Sequence, residues 1–143
     1  MRKLIYQHPN CTMEYDDSIP YVFMLLKGFI PPDVYREIST ERLKILEKYN
    51  TKYIITDARE LKVLNKESLE YNKDIYIPTL ERIGIKKSYM VVSEDVFTNY
   101  MVTNIDKRLK FENSVIEVGV FRTLEKALGE LQKKLKQEAE NGD

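Results

Sequence analysis

Tyr53-Ile54-Ile55-Thr56-Asp57, running into Ala58-Arg59-Glu60, decides how this chain is read. Aromatic and β-branched residues closed by an aspartate have the composition of a buried strand in a parallel sheet, and the polar residues beyond it lead toward a helix. Ligands of open parallel sheets bind outside the carboxyl ends of the strands. The same pattern therefore marks a candidate rim at Asp57, Arg59, Ser93, Glu94, Arg122 and Thr123. Carboxylates, guanidinium groups and hydroxyls can hold a ligand or a partner. No histidine, cysteine or glycine-rich phosphate loop accompanies them, so recognition is expected rather than catalysis, with no catalytic residue and no cofactor.

Working outward, the stretch before Tyr53 is a helix. Pro32 suits its first turn, where a missing N–H costs nothing. Tyr35, Ile38, Ile45, Leu46 and Tyr49 recur at helical spacing, with Arg36, Glu37, Glu41, Lys44 and Lys48 on the other face. Asn50 ends it. Upstream lie three short strands joined by turn-forming clusters: Leu4 to Gln7, Thr12 to Tyr15 and Tyr21 to Gly28, separated by His8-Pro9-Asn10 and Asp16-Asp17-Ser18. This reads as an antiparallel meander. Its third strand is apolar at consecutive positions, as a strand covered on both faces should be.

Downstream, Asn65 caps a helix beginning near Lys66, and Pro78 demands a kink or restart before Gly84. Tyr89 to Val92 is a strand. Ser93 opens a helix with Phe97, Tyr100, Met101 and Ile105 on one face, and Val115 to Phe121 is the last strand. Thr123 caps a final helix striped by Leu124, Ala127, Leu128, Leu131 and Leu135, after which 137–143 should fray. The order β-β-β-α-β-α-β-α-β-α describes one α/β domain over 1–143, a mixed sheet with a hairpin-bearing edge covered by helices.

Composition limits the partners. The 143 residues carry 23 Lys plus Arg against 23 Asp plus Glu. No net field draws a polyanion, so nucleic acid is not an expected partner. Zero net charge also weakens colloidal repulsion and favours self-association. The basic clusters Lys86-Lys87, Lys107-Arg108 with Lys110, and Lys133-Lys134 with Lys136 read as solvated surface. A single cysteine, Cys11, excludes an internal disulfide. The start of the chain shows no secretory signal pattern, and the longest apolar run, Ile19 to Ile30, is too short to span a bilayer. A cytoplasmic location without membrane insertion is expected.

A meander followed by strand–helix repeats resembles the STAS family, the sulfate-transporter and anti-sigma-factor-antagonist domains, and most closely its divergent SpoIIAA-like or STAS/Sec14-like group. The resemblance rests on Tyr53-Ile54-Ile55-Thr56-Asp57-Ala58-Arg59 with its following helix, on Tyr89-Met90-Val91-Val92, and on Val120-Phe121-Arg122-Thr123-Leu124-Glu125-Lys126-Ala127-Leu128. It implies a regulatory module that docks a protein. Anti-sigma-factor antagonists switch by phosphorylation in a D-S-S-G-like turn, whereas here Asp57 precedes Ala58-Arg59-Glu60-Leu61. Ser68 is the nearest hydroxyl on the next helix, between Glu67 and Glu70, whose charges repel a phosphate. It is the candidate phosphosite, with a solvated first-turn serine as the plainer reading.

Other constellations have plain readings too. Asp57 as a receiver-type phosphoacceptor needs Mg²⁺ and further carboxylates at strand ends, but Asp16-Asp17 stands in a hairpin turn. A pairing of Asp57 with Arg59 or its own loop suffices. His8 and Cys11 are too few for zinc, so no metal is expected. Tyr71, Tyr76, Tyr89 and Tyr100 would either line a pocket or pack at the core boundary. The leading expectation is a non-enzymatic STAS-like regulatory or interaction module presenting Asp57, Arg59, Ser93 and Arg122 to a protein or small ligand. The alternative is a sensor for a nucleotide, anion or lipid-like ligand, with Arg59 and Arg122 as anion contacts.

Overall fold

The computed structural model describes residues 2–62, 64–103 and 115–141. Six strands form one mixed sheet: β1 (Arg2–His8), β2 (Cys11–Asp16), β3 (Tyr21–Gly28), β4 (Tyr53–Leu61), β5 (Lys87–Val91) and β6 (Glu117–Phe121), hydrogen-bonded in sequence order. The first three pair antiparallel, as a meander requires, and β3 to β6 are parallel. Each parallel step needs a crossover. These are α1 (Pro32–Tyr49), then α2 (Lys66–Tyr71) continuing through a π-helical turn (Asn72–Tyr76) into α3 (Ile77–Arg82), then α4 (Glu94–Thr103); α5 (Leu124–Glu140) closes the chain.

Local chemistry explains the boundaries. Pro32 occupies the first turn of α1, and Asn50 ends that helix in the left-handed region at φ 49°. The Asn65 side chain accepts the Ser68 N–H at 3.0 Å, and the Thr123 hydroxyl accepts the Lys126 N–H at 3.1 Å. The restart required by Pro78 takes the form of the π turn immediately before it. Asp16 accepts the Ser18 N–H and hydroxyl at 2.9 and 2.6 Å, which closes the β2–β3 turn.

Strand alternation divides the core into two layers. Val22, Met24, Leu26 and Ile54 pack with Ile38, Leu46 and Leu80 beneath α1 and α3. Tyr21, Phe23, Ile55, Tyr89 and Val91 pack with Ala127 and Leu131 of α5. Successive parallel strands step in one direction, so right-handed crossovers put α1 and α3 on the same face. α5 is not one of these crossovers and covers the opposite face.

Some boundaries differ from expectation. β4 runs on to Leu61, so Ala58-Arg59-Glu60 is strand and not the entry to a helix. The pairing shifts between Leu25 and Lys27, where β4 carries one extra residue, and this bulge lets the strand continue past Asp57. β6 begins at Glu117 rather than Val115, and α5 holds through Glu140 instead of fraying from Gln137. Glu138 is pinned to Lys87 at 2.9 Å, which stabilises that last turn. The side chains of Tyr100 and Met101, together with Ile105, Lys107, Arg108 and Lys110, lie outside the described residues.

Gly119, paired with Tyr89 of β5, has no room for a side chain. A Cβ there would stand 2.7 Å from the Phe121 ring and 3.0 Å from the Tyr89 ring, which are packed against each other. Gly119→Ala is expected to lower stability by about 1–3 kcal/mol through overpacking, as measured by urea unfolding.

Candidate functional site

Asp57 lies within β4 and only 4% of it is exposed. It faces the α5 side with Ile55. Its Oδ1 accepts the Arg59 backbone N–H at 3.1 Å and the Arg59 Nε–H at 3.0 Å, while Oδ2 accepts from Nη2 at 2.7 Å. The bulge is what frees that backbone N–H from the sheet ladder. Hydrogen bonding to Asp57 holds the Arg59 guanidinium still more firmly protonated. The Arg59 side chain nevertheless remains 45% exposed, with its plane fixed from below.

The register Asp57↔Val91↔Phe121 brings the ends of β5 and β6 alongside. Ser93 lies just beyond β5, where its hydroxyl accepts the Val96 N–H at 3.4 Å. Arg122 lies just beyond β6, its guanidinium over the Phe97 ring and 3.8 Å from Glu94. All four expected rim residues thus occupy one end of the sheet. Phe29, at the end of β3, is 57% exposed there.

Ser68 is not a solvated serine. It is 1% exposed, and its Oγ is the buried side-chain polar atom without a partner among the described residues. The Arg36–Glu67 pair and the Tyr35 hydroxyl donating to Asn72 Oδ1 at 2.7 Å draw α2 onto α1, and Ser68 is covered in the process. Phosphorylation would require α2 to lift.

The tyrosines do not share one pocket. Tyr71 stacks on Tyr76 beside Tyr35 on the α1 face, while Tyr89 belongs to the α5 face. There Tyr89, Glu117, Gly119, Phe121, Glu130 and Lys134 line a shallow groove of about 350 Å³. His8 Nδ1 accepts the Asn10 N–H at 3.0 Å, and burial pushes the neighbouring Cys11 thiol up to about 12. Both groups are committed to the hairpin.

Two buried cations escape a simple reading of the chain. Lys87, expected to be solvated, has a side chain nine-tenths buried; it meets Glu138 at 2.9 Å and Glu117 at 3.7 Å. Its signal is alternation, since Lys87 shares a strand face with Tyr89 and Val91. Arg42, set at helical spacing between Ile38 and Ile45, is 5% exposed beneath α1. Its Nη1 donates to Thr56 Oγ1 at 2.9 Å, and its Nε donates to the Tyr76 hydroxyl.

Comparison with protein-family models and with curated proteins finds no match to either.

The Lys87 network makes stability depend on pH at both extremes. Burial opposes ionisation of Glu117, but the Tyr89 hydroxyl, Lys87 and Lys134 outweigh it and lower its pKa. Its contribution is full above the ordinary carboxylate range and lost as pH falls through the lowered folded value. Burial likewise opposes the Lys87 charge, yet Glu138 and Glu117 raise its pKa; burial and Glu117 raise that of Tyr89. Those contributions are full at neutral pH and lost above the ordinary Tyr and Lys range of about 10–10.5. Lys87→Met is expected to cost about 1–2 kcal/mol at pH 7, less than a fully buried pair because both carboxylates reach water. Urea unfolding from pH 3 to 11 should show the deficit shrinking at both ends. Ser68→Ala removes an unsatisfied buried hydroxyl and is expected to leave stability unchanged or raise it by about 1 kcal/mol in the same assay.

Proposed function

We propose that this chain is a non-enzymatic regulatory module of STAS-like type whose rim, at the carboxyl ends of the parallel strands, docks a protein partner. The Asp57–Arg59 clasp carries this reading. Both oxygens of the buried carboxylate are engaged, so Asp57 is poorly placed to take a proton or a phosphoryl group. The guanidinium it holds is planar, oriented and half in water. An arginine whose rotamer is already fixed loses less entropy on meeting a backbone carbonyl or a carboxylate. Arg122 on Phe97 and the exposed Phe29 add the arginine and aromatic surface that interface centres favour.

The hairpin-edged sheet with β-α repeats supports the STAS-like reading at the level of architecture. Where the antagonists carry their phosphoacceptor turn, this chain has the bulged end of β4. Partner exchange here would therefore run through the clasp and not through a phosphoserine at that turn. A rim sensor for small anions is less well supported, because an anion at Arg59 competes with Asp57.

Affinity capture from the native cell with the full chain tests this reading. One protein is expected to be retained specifically, and Arg59→Ala to weaken its binding by about 2 kcal/mol, roughly thirtyfold in Kd. Arg36→Ala, on the α1 face, should bind as the native chain does. Asp57→Asn should unfold at nearly native temperature yet bind more weakly, since Arg59 loses its anchor. Recovery of no specific protein, or full binding by Arg59→Ala, would count against the proposal.

A further inference from the structure

The two outer strands of the sheet are built differently. β1 carries Arg2 and Lys3 and a bulge between Leu4 and Tyr6, devices by which a free edge resists pairing with another chain. β6, Glu117-Val118-Gly119-Val120-Phe121, has no lysine, arginine or proline, and it pairs with β5 without a bulge. Among the described residues, no strand pairs with its outer side.

The phase of the ladder identifies the groups on that side. In a parallel pair, alternate residues direct both N–H and C=O at the neighbouring strand, and the intervening residues direct theirs away. The Glu117 N–H donates to the Lys86 carbonyl at 2.8 Å, and the Phe121 carbonyl accepts the Val92 N–H at 2.9 Å. Glu117, Gly119 and Phe121 therefore face β5, and the backbone groups of Val118 and Val120 point outward.

That edge is complementary to itself. About a twofold axis through Gly119 and normal to the sheet, antiparallel pairing sets Val118 opposite Val120 of a second copy on both sides of the axis. Every outward N–H and C=O of the valines then finds a partner, and the β-branched side chains meet in cross-strand pairs. Gly119 faces Gly119 at the closer, non-hydrogen-bonded position, where a side chain would obstruct the approach. Charge favours the same occupant. Glu117, the one charged residue of β6, is met by Lys87 at 3.7 Å and Lys134 at 3.4 Å within its own copy, and in this register it stands opposite Phe121. A chain with 23 cations and 23 anions does not repel its duplicate.

We propose that β6 is a self-association edge, through which two copies of this chain join antiparallel about Gly119 into one continuous sheet. A five-residue strand gives a strip about 17 Å long, too short for the roughly 800 Å² per partner of a standard stable interface. The dimer is therefore weak and concentration-dependent. It does not rest on the reading of the rim.

Sedimentation equilibrium of the full chain tests this, with a dimer expected to form between about 10 μM and 1 mM, the range of a weak interface. In ¹⁵N-labelled protein, exchange of the Val118 and Val120 amides should slow as the dimer forms, whereas the Gly119 amide, bonded to β5, stays protected throughout. Val120→Pro removes an outward N–H and leaves the ladder to β5 intact, so that variant should remain monomeric. Leu4→Lys, on the opposite edge, should dimerise as the native chain does. A native chain monomeric to the upper concentration would overturn the proposal, as would native-like dimerisation by a folded Val120→Pro or loss of the dimer in Leu4→Lys. Slow exchange of Val118 and Val120 in the monomer would also sink it, because the chain would then cover its own edge. Should Val120→Pro not fold, native exchange decides: protection of both valines that grows with dimerisation sustains the edge, and its absence in the dimer refutes it.

Discussion

Burial of β3 and β4 on both faces is the constraint from which the rest of the molecule follows. Tyr21 to Met24 and Ile54 to Asp57 are buried in unbroken succession, so neither face of the central sheet can be left to water. Parallel pairing of these strands requires the α1 crossover, which covers one face. The other is covered by α5, which is not one of the crossovers between the described strands. Its apolar stripe meets Tyr21, Phe23, Ile55 and Tyr89.

Complete coverage sets the terms for every polar group on those strands. Asp57 cannot reach bulk water from within β4, so the bulge turns the backbone N–H and side chain of Arg59 back onto it. Lys87 is buried at the start of β5 and meets Glu117 and Glu138, which fastens the last turn of α5 to the sheet. In both places a carboxylate meets the cation, and the pairing also fixes where an element ends. The α1 face obeys no such rule. There a charge on α1 is answered by hydroxyls and a ring, and on α2 the buried Ser68 hydroxyl has no partner among the described residues.

Much of this was legible along the chain. The meander, the restart at Pro78 and the caps at Asn65 and Thr123 depend on residues a few positions apart, and each formed where short-range chemistry placed it. That Ser93 and Arg122 follow strands was readable for a similar reason: strand ends can be counted. Continuation of β4 past Asp57 was not, because a bulge is fixed by the neighbouring strand's register and not by the residues that bulge. Arg42 and Lys87 are charged residues at core-facing positions. Spacing alone flags such an exception without showing how its charge is met.

Composition and periodicity by themselves determined the α/β class, the order of the elements and which face of α1 and of α5 turns inward, since these follow from backbone preference and the pattern of apolar side chains. Tertiary structure alone decided which charges became buried and with whom. Glu138 lies 51 positions after Lys87, Tyr76 34 after Arg42, and Ser68 is buried although it stands in the first turn of a surface-patterned helix. Such contacts arise only when two layers close on one sheet, and the free energy of each depends on the water that closure removes.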